Sequence, residues 1–333
     1  LSPKHAHKVH LTGNPVRPEV LTLREQDFPA FTDESLLRIL VTGANGLLGQ
    51  SLLYLAQGRH ELLATGRGPA RGNHFGFPYA ELDTTRPEDF ERVLTYYKPD
   101  VVIHSAAMTQ VDDCEKEPDT CHLLNVDSTR YCAEACARHG VHLIFISTDF
   151  IFDGKHGPYA EEALPAPLSV YGWSKLHAEE AVKASGARYT IARTVLVIGY
   201  VPGLSRSNII LWARGALQRG ERIRVVDDQV RSPTWSVDLA EGCLRIAELG
   251  ATGVYHLSGP DTMSILELVQ QVAEHAQLDA GLIDVVSSES LGQPAKRPPV
   301  TGFDISKARK ELGFNPHSFR EVLDEIPIFG NLS

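Results

Sequence analysis

No apolar run in this chain approaches the length needed to cross a bilayer as a helix. Basic residues are in deficit: 32 Lys and Arg stand against 42 Asp and Glu, a formal net charge of −10. That balance argues against a general nucleic-acid or anionic-membrane binder, whose footprint is basic, while leaving room for a local basic pocket. Cysteine is scarce, with five residues at 114, 121, 132, 136 and 243 and no CxxC pair. Neither a zinc site nor a disulfide framework is expected, and reduced, mostly buried thiols are. Internal repeats and low-complexity tracts are also missing. Residues 1–37 hold no apolar core followed by a small-residue cleavage site, so a cytoplasmic location is the expectation. This extension is polar and carries proline, and its His5, His7 and His10 lack a matching ligand set elsewhere, so no metal is expected.

What is present is an ordinary globular composition, 43% hydrophobic and 22% charged. Its 333 residues suffice for two domains or one large domain with an appended lobe. From Arg38 onward, short apolar runs at 38–42, 61–65, 101–105, 142–147 and 189–195 alternate with helical patterns at 47–56, 86–97, 120–139 and 171–185. Alternation of this kind predicts βαβ units and a parallel sheet covered on both faces, a Rossmann-type doubly wound α/β fold. Beyond residue 195 the rhythm loosens into helices at 207–219, 237–249 and 264–278 and strands at 222–226 and 253–257. The division expected is an extension over 1–37, a nucleotide-binding domain over 38–198, and a smaller lobe over 199–333 that mainly binds substrate. Residues 253–258 are expected to return to the first sheet.

Between the first strand and the first helix stands Gly43-Ala-Asn-Gly46-Leu-Leu-Gly49. Gly43 permits a tight turn, Gly46 lets backbone approach a diphosphate, and Gly49 allows close helix–strand packing. Strand-before and helix-after is the context that makes this pattern a dinucleotide site, with the anion at the helix N-terminus. Gly43, Asn45, Gly46, Leu47, Leu48 and Gly49 are the contacts expected from this turn. The second strand ends Gly66-Arg67, where an NAD(H) site would carry an acid for the ribose hydroxyls. Arg67 offers instead a charged fork for a 2′-phosphate, so NADP(H) is expected ahead of NAD(H). Asp83 is open between an adenine contact and a turn aspartate.

Tyr171-Gly-Trp-Ser-Lys175 spaces a phenol and an ammonium four residues apart, on one helix face. A neighbouring ammonium would lower the tyrosine pKa, leaving Tyr171 able to exchange a proton with a carbonyl oxygen. The preceding strand ends Ser147-Thr148-Asp149, and Thr148 could bond that same oxygen from the sheet's C-terminal edge.

With His104-Ser-Ala-Ala-Met-Thr-Gln-Val-Asp-Asp-Cys-Glu115, Asn125-Val-Asp127, Ser147 to Gly154, Pro167 to Lys175 and Asp228-Gln-Val-Arg-Ser-Pro-Thr234, these motifs follow one order. In that order the chain resembles the extended short-chain dehydrogenase/reductases, and within them the dTDP-4-dehydrorhamnose reductase family, from Arg38 to the C-terminal region. The resemblance implies catalysis by Thr148, Tyr171 and Lys175, and reduction of a nucleotide-linked 4-keto-6-deoxy sugar such as dTDP-4-dehydro-L-rhamnose. It implies further cofactor contacts at Ala106, Ala107 and Thr194, joined by Tyr171 and Lys175. Thr109, Phe150, Thr234 and Arg297 are implied on the substrate side. Where the family commonly reads Arg-Thr-Ser-Trp-Val-Tyr-Gly, this chain has Arg193-Thr-Val-Leu196-Val-Ile198-Gly199, and Arg231 stands for a usual glycine. A sugar-nucleotide epimerase or dehydratase, and a regulatory subunit resembling the β subunit of methionine adenosyltransferase, are the alternatives. A homodimer is the default for a soluble oligomer.

Overall fold

Strands and helices alternate through the first part of the chain, save that the second and third strands follow one another with no helix between. A computed structural model describes residues 36–201 and 208–326, so His5, His7 and His10 lie outside the described residues. The strands are β1 (Arg38–Thr42), β2 (Glu61–Gly66), β3 (Tyr79–Glu81), β4 (Val101–His104), β5 (His142–Thr148) and β6 (Tyr189–Thr194). The helices are α1 (Leu47–Ala56), α2 (Pro87–Tyr97), α3 (Val111–Lys116), α4 (Pro118–His122), α5 (Ser128–His139) and α6 (Val170–Ala184). With the later strand Gly253–His256, the sheet is seven-stranded and parallel, running from that strand through β6, β5, β4, β1 and β2 to β3. Strand order reverses between β1 and β4, which pair in parallel from Ile39 opposite Val101 to Thr42 opposite His104. In an open α/β sheet the crevice beyond the strand C-termini at such a reversal is where ligands bind.

Most of the strands are buried because both faces are covered, which is why they read as apolar runs, whereas the edge strand β3, Tyr79-Ala-Glu81, is half-buried at both ends and was not expected from the sequence. Leu48, Leu52 and Leu53 of α1 join Leu239, Leu244 and Ile246 of α8 (Ser236–Leu249) on one face. Phe90 and Val93 of α2, Cys132 and Cys136 of α5 and Ala178 and Val182 of α6 cover the other. A third core lies beyond β6, where Ile210 and Leu217 of α7 (Ile209–Gln218) meet Leu268 and Val272 of α9 (Ile265–His275). The strands Ile223–Val226 and Ile283–Val286 pair in parallel beside it.

One helical pattern resolves differently from its periodicity. Residues 120–139 read as continuous helix, but Pro118 starts a first short helix two residues earlier and Leu123–Asp127 winds as a π-helical turn before α5. The wider turn accompanies Asn125, which is buried and reaches back into the loop after β4. Helix α7 begins at Ile209 because the Asn208 side chain accepts from the amides of Ile210 and Leu211.

Candidate active site

The glycine turn, the loop after β4, the end of β5 and the first turn of α6 meet at the C-terminal edge of the sheet. Gly43 has φ of 72°, and a Cβ there would sit 2.9 Å from the Ala106 amide nitrogen and the Ser105 Oγ. A side chain would therefore push the β1 turn off the β4 loop. Gly49 carries the helix packing: its Cβ would lie 2.5 Å from the Ala44 Cα. Gly46 is the exposed N-cap of α1, with no side-chain cap and no acid in the first helical turn. The positive end of the helix dipole is thus unopposed and fits an anionic diphosphate.

The remaining cofactor-side residues divide by what their side chains touch. Leu48 belongs to the core and Leu47 is half-buried, so Leu48 can offer only backbone. Asn45 is engaged by protein: its Oδ1 accepts the Arg71 amide at 2.9 Å, and its Nδ2 donates to Tyr79 Oη at 3.0 Å. Tyr79 in turn donates to the Gly68 carbonyl at 2.8 Å, and Gln50 Oε1 accepts the Asn73 amide at 3.0 Å. Together these three side chains pin the segment that carries Arg67 beside the glycine turn. Arg67 is exposed, and among the described residues no carboxylate pairs with it. Asp83 closes a turn, accepting the Thr85 amide and hydroxyl at 3.0 and 2.7 Å. Ala106 and Ala107 are half-buried beyond β4, where the Ala106 amide reaches Thr42 Oγ1 at 3.3 Å. Thr194 is buried, and its Oγ1 has no hydrogen-bond partner among the described residues, an orphaned polar atom that a bound dinucleotide could satisfy. Arg193 does not share that role, because it forms a two-point pair with the buried Glu179 at 2.9 and 2.8 Å.

Thr148 ends β5 with its hydroxyl donating to Asp149 Oδ1 at 3.1 Å while accepting the Phe150 amide at 3.3 Å. Tyr171 opens α6, where Ser169 caps the Gly172 amide at 3.2 Å and Glu115 of α3 accepts the Val170 amide at 2.8 Å. Its ring packs edge-on against Phe150, centroids 5.5 Å apart, among Met108, Cys114, Cys121 and Val170. Burial pushes the phenol well above its ordinary pKa, opposed by its interaction with the Thr148 hydroxyl. The cofactor-free protein thus holds Tyr171 neutral at pH 7, the state from which a proton can be given. The lysine does not act on it as the spacing suggests. Lys175 Nζ donates to the Ile146 carbonyl at 2.7 Å and lies 4.0 Å from the centre of the Phe145 ring.

Burial pushes Lys175 down to about 7, with the Glu179 and Cys121 charges opposing the shift. The sign of its stability effect follows. An unfolded lysine titrates near about 10.4, so between pH 7 and that value the unfolded chain holds the extra proton and stability rises with pH. Thermal melts of the cofactor-free protein from pH 6.5 to 9.5 should show this rise, and Lys175→Met should flatten it. Parallel curves for both proteins would remove the buried ammonium as its source.

On the substrate side, Thr109 is exposed and Phe150 half-buried. Thr234 is fully buried, and its hydroxyl donates to the Val195 carbonyl at 2.6 Å. Arg297 pairs with Asp112 of α3 at 2.9 Å. Leu196, at the family departure, takes a left-handed φ of 37° and is half-buried.

Sequence reasoning missed several residues. Asn125 Oδ1 accepts the Met108 amide at 2.8 Å while its Nδ2 donates to Ser174 Oγ at 2.9 Å, tying the β4 loop to α6. Asp149, fully enclosed, bonds to Thr148 and Thr301 and faces Arg231 Nε at 3.8 Å. Arg231 also sits over the Phe150 ring at 5.9 Å. The signal available in advance was Arg231 itself, a large cation where glycine is usual. All five cysteines are free and buried, and among the described residues no cluster of His, Cys, Asp or Glu could hold a metal ion. No described helix is long and apolar enough to cross a membrane.

A family model described as the RmlD substrate binding domain matches residues 37–327. The chain is 31% identical over 303 residues to dTDP-4-dehydrorhamnose reductase of Aggregatibacter actinomycetemcomitans, covering 87% of this chain and 98% of that one. It is 30% identical over 279 residues to methionine adenosyltransferase 2 subunit beta of Xenopus tropicalis, covering 82% of each. Its fold matches the dTDP-4-dehydrorhamnose reductase of Bacillus anthracis solved with NADP, with a TM-score of 0.76 at 30% identity over 87% of this chain and 98% of that one. With a family model matched over residues 37–327, the chain belongs to the RmlD family of extended short-chain dehydrogenase/reductases.

Proposed function

We propose that this protein reduces a nucleotide-linked 4-keto-6-deoxy sugar with NADPH, converting dTDP-4-dehydro-L-rhamnose to dTDP-L-rhamnose. The observation that carries the reading is the neutral, buried Tyr171 facing Thr148 at the sheet edge, beside an uncapped glycine-rich helix start. The dinucleotide would be held by the Gly43–Gly49 backbone, by Arg67 at its 2′-phosphate, and by Lys175 and Thr194 deeper in the cleft. When bound, it supplies the hydride.

Tyr171 gives its proton to the carbonyl oxygen as that oxygen gains charge. Thr148 bonds the same oxygen and fixes the carbonyl's angle. Its proton is directed to Asp149 in the unliganded site, so the hydroxyl rotates toward substrate when the carbonyl arrives. Lys175, buried against Phe145 and lowered to a pKa of about 7, can carry or release a proton on the inner side of the site. Elimination chemistry of the dehydratase kind would need a second acid after Asp149, and Phe150 holds that position.

Absorbance of NADPH should fall on adding dTDP-4-dehydro-L-rhamnose, and fall more slowly with NADH. No oxidation by folded protein that binds NADPH would remove the proposed substrate. The likeness to methionine adenosyltransferase 2 subunit beta gives the second reading, a regulatory subunit with a retained site. In that case the protein binds NADPH, reduces no keto sugar, and forms a stable complex with a methionine adenosyltransferase catalytic subunit.

A further inference from the structure

Residues 295–301 form a strap along the candidate site, tied at both ends. At one end the Ala295 amide donates to Asp112 Oδ1 at 3.1 Å. Two residues on, Arg297 meets the same carboxylate with both ends of its guanidinium, Nη1 to Oδ1 at 3.1 Å and Nη2 to Oδ2 at 2.9 Å. Further along, the Pro299 carbonyl accepts the Val230 amide at 2.7 Å and Arg231 Nη1 at 3.2 Å, and the Val300 amide donates to the Gly154 carbonyl at 3.2 Å. At the far end the Thr301 hydroxyl donates to Asp149, which also accepts from Thr148. The strap thus runs from α3 to the end of β5. Helix α3 itself packs Cys114 against Tyr171 and holds the α6 N-terminus through Glu115.

A guanidinium has five donors in a fixed fork geometry. Nη1 uses two of them, on Asp112 and on the Ala295 carbonyl at 3.1 Å, and Nη2 uses one on Asp112. Nε–H and the outer Nη2–H remain, side by side on the adjacent edge, and among the described residues nothing accepts from them. Such an edge matches two oxygens of a phosphate group. Burial lowers the Arg231 pKa and the nearby Arg297 charge lowers it further, while Arg231 is engaged by Asp149 and two backbone carbonyls.

We infer that Asp112 is a positioning residue for substrate: it grips one edge of Arg297 and so presents the other edge to the diphosphate of the nucleotide-linked sugar. The inference rests on the nucleotide-sugar reading of the site. Asp112 is ionised at neutral pH, because the Arg297 guanidinium holds its carboxyl below the usual range. The pair is part-exposed, with side-chain accessibilities of 17% for Arg297 and 31% for Asp112. A pair so open to water adds little to folding stability, which separates its effect on binding from any effect on the fold.

The test is calorimetric titration of the full-length protein with dTDP, beside NADPH binding followed by fluorescence. Asp112→Asn keeps the shape but loses the charge and one acceptor. It should weaken dTDP binding roughly tenfold, the cost of loosening one charge-assisted contact, with NADPH affinity and melting temperature unchanged. In turnover the loss should fall on KM for the keto sugar rather than on kcat. Asp112→Glu, which restores the charge, should recover part of the dTDP affinity. If Asp112→Asn binds dTDP as tightly as the wild type, the positioning role is overturned and the substrate reading stands. If the wild type binds no nucleoside diphosphate, the substrate reading fails and the inference fails with it. Equal losses in dTDP and NADPH binding would show a structural role alone and would also overturn it.

Discussion

Tyr171→Phe should reduce kcat for the keto sugar by about 10²- to 10⁴-fold, the range expected when a positioned proton donor is removed. The substitution deletes one oxygen and keeps the ring, so packing against Phe150, Cys114 and Cys121 survives. NADPH affinity and melting temperature should therefore change little, and a fluorescence titration with a thermal melt checks both. The reason for expecting so large a loss is the phenol's protonation state. Burial holds Tyr171 above its ordinary pKa, so the cofactor-free protein enters the reaction with its proton in place. Retained activity in the variant would move the proton donor elsewhere, to a water held by Thr148 or to Asp149.

Gly172→Ala should be nearly as damaging, though the residue carries no reactive group. A Cβ at this position would overlap the Phe150 carbonyl oxygen and come within 3.1 Å of the Pro167 Cβ. The obstacle is backbone on the turn after β5, so it cannot yield by rotating a side chain. Helix α6 would have to back away from that turn, carrying Tyr171 off Thr148. A misplacement of about 1 Å between reacting groups can cost roughly 10²-fold in rate, and overpacking of this kind about 1–3 kcal/mol in stability. Turnover assays with a chemical melt should show both losses, with NADPH binding at the Gly43 turn less affected. A variant with wild-type kcat would mean that the Tyr171–Thr148 spacing does not limit the reaction. The same contact explains why Tyr171 is followed by glycine: α6 approaches the β5 turn as closely as backbone permits.

The parallel sheet was legible because most of its strands are apolar runs and the helices between them have their own period; the short β3, Tyr79-Ala-Glu81, has no such run and was not read. Runs of that kind report burial on both faces without knowledge of any partner. The glycine turn was legible for a similar reason, since Gly43, Gly46 and Gly49 are spaced by the local geometry of one strand–turn–helix. The helix read over 120–139 holds along its length, but its period does not reveal the π turn at Leu123–Asp127, because the turn that sends Asn125 inward answers to Met108 and Ser174, partners far off in sequence.

Substrate-side residues were the least legible. Thr234 and Arg297 were placed by motif position; the structure adds that Thr234 donates to the Val195 carbonyl and Arg297 pairs with Asp112, partners that no motif names. Asn45 was read as a cofactor contact and is engaged with Arg71 and Tyr79. In each case a side chain's direction is set by a group 26 to 185 residues away.

By itself, then, the sequence determined the layered α/β plan, the anion-binding turn and the pairing of Tyr171 with Lys175 on one helix, all features whose causes lie within a few residues of one another. Only the tertiary structure decided that Lys175 reaches Ile146 rather than Tyr171, that Asp149 joins Thr148 to Thr301, and that Asp112 holds Arg297. Periodicity and spacing record which face a residue presents; which partner it meets there depends on how distant segments pack, and hydrogen-bond geometry then selects among the groups that packing brings within reach.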